Sequence, residues 1–230
     1  MNENNLSGLR PGKLVALACV AAVTLLSLPR ATAGTEMKQI DPKDVTTATD
    51  KCCTEKDWTL ELSTGVSWSN VRSGSPNVSY TTIPIQLTAS LKLDDVSLDN
   101  VAWGIFRGYS EFYFSGQYEQ IVHGPENHYE CLMVGPRYNF VQKGWPVIPY
   151  VEGGVGIGFA DSNPAAGGLG QDFNFSFSAG AGAKYLINDD FFVRLGVEYQ
   201  HMSNAGLSEP ANPNHPIDEL GPKISFGYSF

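Results

Sequence analysis

Along residues 58–230, aromatic and branched apolar residues recur at every second position, in segments closed by Gly, Pro, Asn and Asp clusters. A period of two places successive side chains on opposite faces of an extended chain, so this region reads as β-strands joined by turns. Eight segments are expected: 58–68, 78–91, 102–115, 129–140, 149–159, 173–185, 191–201 and 218–230. The last is typical, with Leu220, Ile224, Phe226, Tyr228 and Phe230 on one face. No stretch carries a convincing helical period.

The opposite faces carry Glu61, Arg107, Glu111, Arg137, Glu152, Lys184, Arg194, Glu198, Glu219 and Lys223 among Gly, Ser, Asn and Gln. A soluble β-sandwich would turn its apolar face inward, and a membrane barrel would turn it outward. Both alternate, so parity alone leaves the two open. Four features favour the barrel. The chain begins with an export signal. The segment count is even. Aromatics gather at segment ends, as interfacial girdles require. Five acids balance five bases, as suits a small barrel whose interior is filled by paired side chains. The expected fold is all-β: an eight-stranded antiparallel transmembrane β-barrel, multi-pass in a bacterial outer membrane, without an aqueous pore.

Arg10 and Lys13 precede an apolar run, 14–28, and Ala31-Thr32-Ala33 offers a cleavage site. Residues 1–33 therefore read as a signal peptide. The apolar run passes Cys19 to reach that later site, which argues against lipidation at Cys19. Residues 34–57 read as a polar leader, and 58–230 as the barrel. The formal charge is −9; removing the signal, with three basic residues and one acidic, leaves −11. Nucleic acid is thus not an expected partner, since phosphate binding needs clustered Lys and Arg. Cys52, Cys53 and Cys131 remain after cleavage, an odd count. No His/Cys spacing resembles a metal site, so neither metal nor cofactor is expected.

With both chain ends in the periplasm, odd strands run outward. The links 117–128 and 161–172 are then outer loops, and Asn188-Asp189-Asp190 is a short periplasmic turn. The alternating Phe226, Tyr228 and Phe230 resemble the C-terminal assembly signal of outer-membrane barrels. That likeness implies the barrel-assembly machinery as a partner through Phe230.

One cluster breaks the apolar outer face. His201 and Ser203 are two residues apart, so they share a face at the outer end of the seventh strand. Asp218 begins the adjoining strand. A serine needs a base to take its proton, and a carboxylate can orient that base. Asn204 and Gly206 could donate to a developing oxyanion. The bland reading is that a His-x-Ser pair arises by chance and that Asn-Ala-Gly is a turn. Glu130 also has outward parity near the outer rim. Parity favours Asp218 over Glu219 as the partner of His201, unless a bulge at Gly221-Pro222 shifts the register.

Residues 201–207 (His-Met-Ser-Asn-Ala-Gly-Leu), with Pro210, Asn212-Pro213 and Ile217-Asp218, resemble the signature of the lipid A 3-O-deacylase family. The resemblance is specific over about the last thirty residues and architectural upstream. It implies an outer-membrane serine esterase that removes the ester-linked 3-hydroxyacyl chain at position 3 of lipid A. It implies lipopolysaccharide and outer-membrane lipid as partners, Ser203 as nucleophile and His201 as base. The family's acid is Glu, where this chain has the shorter Asp218. Its oxyanion donors map to Asn204 and Gly206, with Asn212 a further candidate; the segment between Leu207 and Asp218 is slightly longer here than the family's, a departure that bears on the Asn212 match. The alternatives are a non-catalytic outer-membrane barrel that binds lipid or surface partners through its outer loops, and a secreted soluble β-domain.

Overall fold

The computed structural model describes residues 56–69, 78–98 and 101–230. The segments expected to be a signal peptide (1–33) and, but for its last two residues, a polar leader (34–57) lie outside the described residues, as do Cys52 and Cys53.

Eight strands form one closed antiparallel sheet. They are β1 (Trp58–Gly65, continued in the same register by Ser67–Ser69), β2 (Tyr80–Lys92), β3 (Gly108–His123), β4 (His128–Phe140), β5 (Val147–Ala160), β6 (Phe173–Leu186), β7 (Phe191–Ser203) and β8 (Ile217–Ser229). Each strand pairs with its sequence neighbours, and β1 closes the barrel on β8 through Thr59↔Ser229, Leu62↔Phe226 and Gly65↔Lys223. Closure leaves no unpaired edge, the condition for a sheet to cross hydrocarbon.

The sidedness is that of a membrane barrel. Leu62, Phe114, Leu132, Val155, Phe177, Leu195 and Phe226 point outward, all more than half exposed. Among the described residues no helix is long and apolar enough to cross a membrane; the crossing is made by strands. Inside, Arg137 reaches Glu152 at 2.7 Å, Glu61 at 2.6 Å and Glu111 at 3.1 Å. Arg194 reaches Glu61 at 3.2 Å and Glu111 at 3.3 Å. Lys223 bonds Glu152 at 2.9 Å and also Glu198. Each charge of this network therefore meets an opposite one, which offsets the cost of desolvation. Tyr80, Ile121, Tyr129, Met133, Leu169, Met202 and Ile217 pack as an apolar cluster inside the barrel.

Two expectations about β3 need correction. The segment expected at 102–115 is Gly108–His123. Residues Ala102–Gly104 form a 3-10 turn, with Ala102 at φ 47° and Trp103 at φ 56°. The left-handed region is incompatible with a strand, although Trp103, Ile105 and Phe106 look strand-like in sequence. Arg107 consequently leaves the inner face, and its guanidinium donates to the Val141 carbonyl at 2.7 Å. At the other end, most of the expected outer loop 117–128 is strand, and only 124–127 turn. Gln117 and Glu119 face inward and Tyr118 and Gln120 outward. Polar residues on both faces hid the alternation.

Candidate active site

The outer end of β7 and the start of β8 are joined by residues 204–216. β7 presents Tyr199, His201 and Ser203 on its outer face. Antiparallel pairing sets His201 directly opposite Asp218 and Gln200 opposite Glu219. The register runs unbroken through Gly221 and Pro222, so no bulge intervenes. Asp218 therefore faces outward. Glu219 is buried in the interior, where the Thr82 hydroxyl donates to its carboxylate at 2.9 Å.

His201 Nδ1 lies 2.7 Å from Asp218 Oδ1, each side chain about one-third exposed (30% and 31%). The Tyr199 hydroxyl donates to the same carboxylate oxygen. Asp218 is thus held by two neighbours, which fixes the shorter acid against the imidazole. Phe177 of β6 flanks the ring, with centroids 6.2 Å apart. On the other side an open groove of about 630 Å³ runs along the outer wall. Trp68, Val197, Tyr199, Leu220 and Pro222 line it, with Asp218 at its head.

Ser203 sits at the strand end. Its Oγ accepts hydrogen bonds from Asn214 Nδ2 at 2.9 Å and from the Ala205 N–H at 3.2 Å. No hydrogen bond joins His201 to Ser203 among the described residues. A serine and its base often sit apart until substrate arrives. The two share a face and are separated only by Met202, whose side chain points inward.

The corner after Ser203 turns through the left-handed region, with Ala205 at φ 55° and Gly206 at φ 78°. Asn204 is fully buried and builds that corner. Its Oδ1 accepts from the Gly206 N–H at 2.9 Å, an Asx turn, and its Nδ2 donates to Ser208 Oγ at 2.9 Å. Ser208 Oγ donates in turn to the Asn212 carbonyl at 2.8 Å. Neither the Asn204 amide nor the Gly206 N–H is directed at Ser203. Asn212 is exposed and takes part here through its main chain.

Asn214 is the residue that sequence reasoning missed. Its side chain reaches Ser203, where Asn204 and Gly206 were the expected donors and Asn212 a further candidate. Both lie an even number of residues before Asp218, so parity could not separate them. The path of the loop decides it. Among the described residues no group of His, Cys, Asp and Glu side chains is arranged to hold a metal ion.

Comparison with known proteins bears on this region. A family model described as lipid A 3-O-deacylase (PagL) matches residues 95–228, which include His201, Ser203, Asn214 and Asp218. No curated protein matches the sequence. Among solved structures the chain resembles the outer membrane enzyme PagL at 22% identity, covering 73% of this chain and 97% of that one, TM-score 0.49. It resembles Neisserial surface protein A at 14% identity, covering 73% and 95%, TM-score 0.51. It resembles the N-terminal β-barrel domain of Pseudomonas aeruginosa OprF at 16% identity, covering 75% and 97%, TM-score 0.42.

Proposed function

This chain belongs to the lipid A 3-O-deacylase (PagL) family, and from that premise we propose that it is a serine esterase acting at the ester-linked 3-hydroxyacyl chain of lipid A. As a family member it is an outer-membrane lipid A deacylase. What is proposed is the chemistry and the residues that perform it.

Ser203 Oγ attacks the ester carbonyl while His201 Nε2 takes its proton. Asp218 accepts from His201 Nδ1–H, which leaves Nε2 as the basic nitrogen and stabilises the imidazolium that forms. The oxyanion receives hydrogen bonds from Asn214 Nδ2 and the Ala205 N–H, the two donors already directed at Ser203 Oγ. Collapse of the tetrahedral adduct breaks the bond to the sugar oxygen, and His201 returns its proton to that alkoxide. Water, deprotonated by His201, then hydrolyses the acyl-enzyme and releases the 3-hydroxy fatty acid. Asn204 and Gly206 shape the corner through their mutual hydrogen bond. The groove beside Asp218 would seat the acyl chain along the outer wall.

The single observation carrying this reading is the 2.7 Å His201–Asp218 contact on the lipid-facing side of the barrel, with Ser203 two residues away. Charge facing hydrocarbon is unfavourable, by about 2–4 kcal/mol for a Lys or Arg at the midplane and about 0–1 near the interface. A structural barrel has no need of such a pair there. The C-terminus fits the same setting. Phe226, Tyr228 and Phe230 are exposed on the outer wall, where the barrel-assembly machinery would meet them.

The test is release of 3-hydroxy fatty acid from lipid A by the refolded, detergent-solubilised barrel and by Ser203→Ala. Loss of one hydroxyl at a strand end should change stability by less than about 0.5 kcal/mol. The expected outcome is a folded variant without activity. Full activity in folded Ser203→Ala would overturn the serine mechanism. An inactive wild-type barrel would favour the non-catalytic reading.

A further inference from the structure

The outer loop between β5 and β6, residues 161–172, contacts no reacting atom, yet it forms the back wall of the site. Its Gly168-Leu169-Gly170 segment is wholly buried. Leu169, with no exposed surface, packs in the interior cluster with Met202 and Ile217. Those two are paired across β7 and β8 and directly adjoin Ser203 and Asp218 in the chain. A Cβ at Gly170 would lie 2.1 Å from Ser208 Oγ, 2.9 Å from the Pro213 carbonyl oxygen and 3.1 Å from Asn204 Nδ2. Those atoms belong to the hydrogen-bonded corner that carries Asn214. Only a glycine lets the two loops approach so closely.

The other side of the segment is held by a carboxylate. Glu126, from the turn between β3 and β4, is 3% exposed. It accepts from the Leu169 N–H at 2.6 Å, the Asn163 N–H at 3.3 Å and the Tyr80 hydroxyl at 2.8 Å. A Cβ at Gly168 would fall 2.0 Å from Glu126 Oε1, so the glycine is fitted to that carboxylate.

We propose that Glu126 and the Gly168-Leu169-Gly170 wedge are positioning residues for catalysis: they press on the corner at Asn204, Ser208 and Pro213 and thereby set Asn214 against Ser203. This rests on the serine reading above. A donor serves a transition state only when aimed to within a fraction of an ångström, and removing one costs about 10²–10³ in turnover. The wedge lies behind the corner, away from the lipid-facing groove. It governs kcat, and KM is left to the groove.

The experiment measures kcat and KM for lipid A deacylation, with thermal unfolding in detergent, for Gly170→Ala, Glu126→Ala, Glu126→Gln and Asn214→Ala. Gly170→Ala and Glu126→Ala should each lower kcat by about tenfold or more, as a misplaced catalytic group does, with KM close to wild type and the barrel still folded at the assay temperature, though with a lowered unfolding midpoint. Glu126→Gln keeps an acceptor for Leu169 and should recover most of the rate. Adding Gly170→Ala to Asn214→Ala should lower kcat no further, because the group it positions is gone. Independent, multiplying losses in that double variant would overturn the proposal, as would a change confined to KM. Should Gly170→Ala fail to fold, Glu126→Ala in the Asn214→Ala background makes the same comparison. A normal kcat in Asn214→Ala, with Ser203→Ala inactive, overturns the proposed route and spares the serine mechanism. Activity in Ser203→Ala removes that mechanism and this proposal together.

Discussion

Adjacent residues in β8 have unlike surroundings, and the difference is chemical. Asp218 faces outward with His201 and Tyr199 on its carboxylate, and Glu219 faces the packed interior with Thr82. An acid that orients a catalytic imidazole should be needed in its charged form. Asp218→Asn should therefore lower turnover at least roughly tenfold, towards the ~10⁴-fold effect of neutralising a triad carboxylate. Glu219→Gln should retain deacylation and register chiefly in thermal unfolding. Both variants are to be assayed side by side in detergent. Activity lost in Glu219→Gln at unchanged stability, with Asp218→Asn active, would reverse the assignment. The same residue-level view separates Asn214 from Asn212, since only the former brings an amide to Ser203.

At the scale of elements, loops do as much as strands. A second carboxylate joins the same two outer segments from the other side. Asp161 accepts from Asn127 N–H at 2.9 Å, Asn127 Nδ2 at 2.5 Å and His128 N–H at 3.0 Å. Partial burial pushes its pKa up, but these hydrogen bonds outweigh that and hold it below the usual aspartate value. A depressed folded pKa gives stability that is complete above the unfolded value, near 3.9, and lost as pH falls through the folded one. The junction of 124–127 with 161–172 should thus stay protected from amide exchange at neutral pH and loosen only in strong acid. In Asp161→Asn that acid-dependent loosening should disappear, leaving protection lower than wild type at neutral pH and similar to it in strong acid. Exchange measured by mass spectrometry across pH 2–7, a window of about two units below and three above that reference value, checks this. Identical profiles for the two proteins would refute it.

For the molecule as a whole, stability rests on an interior that is ionic and an exterior that is apolar. Arg137 is 4% exposed and touches three glutamates. Arg137→Met leaves Glu61, Glu111 and Glu152 with fewer counter-charges. Breaking a buried pair from one side costs about 3–5 kcal/mol. The expected result is a clear drop in the urea midpoint of the refolded barrel. An unchanged midpoint would mean that the interior network is not a source of stability. The outer half of the interior differs in character, because the apolar cluster around Leu169, Met202 and Ile217 supports the site there.

Alternation by itself determined that the chain forms strands, and in most segments which residues meet lipid. The reason is that the pleat has a fixed period and that hydrocarbon tolerates few charges. It also put His201, Ser203 and Asp218 on one face, because parity carries across a tight antiparallel ladder. Where both faces are polar, at Gln117 to Gln120, the same logic had nothing to read and placed a loop in a strand. Where the backbone turns left-handed, at Ala102 and Trp103, it placed a strand in a turn. Only the tertiary structure showed that β7 and β8 pair without a bulge, which sets Asp218 rather than Glu219 against His201. Only it brought Asn214 to Ser203, and Glu126 and Gly170 behind them. Those contacts run through irregular loops, where no period relates a residue's position to the direction of its side chain.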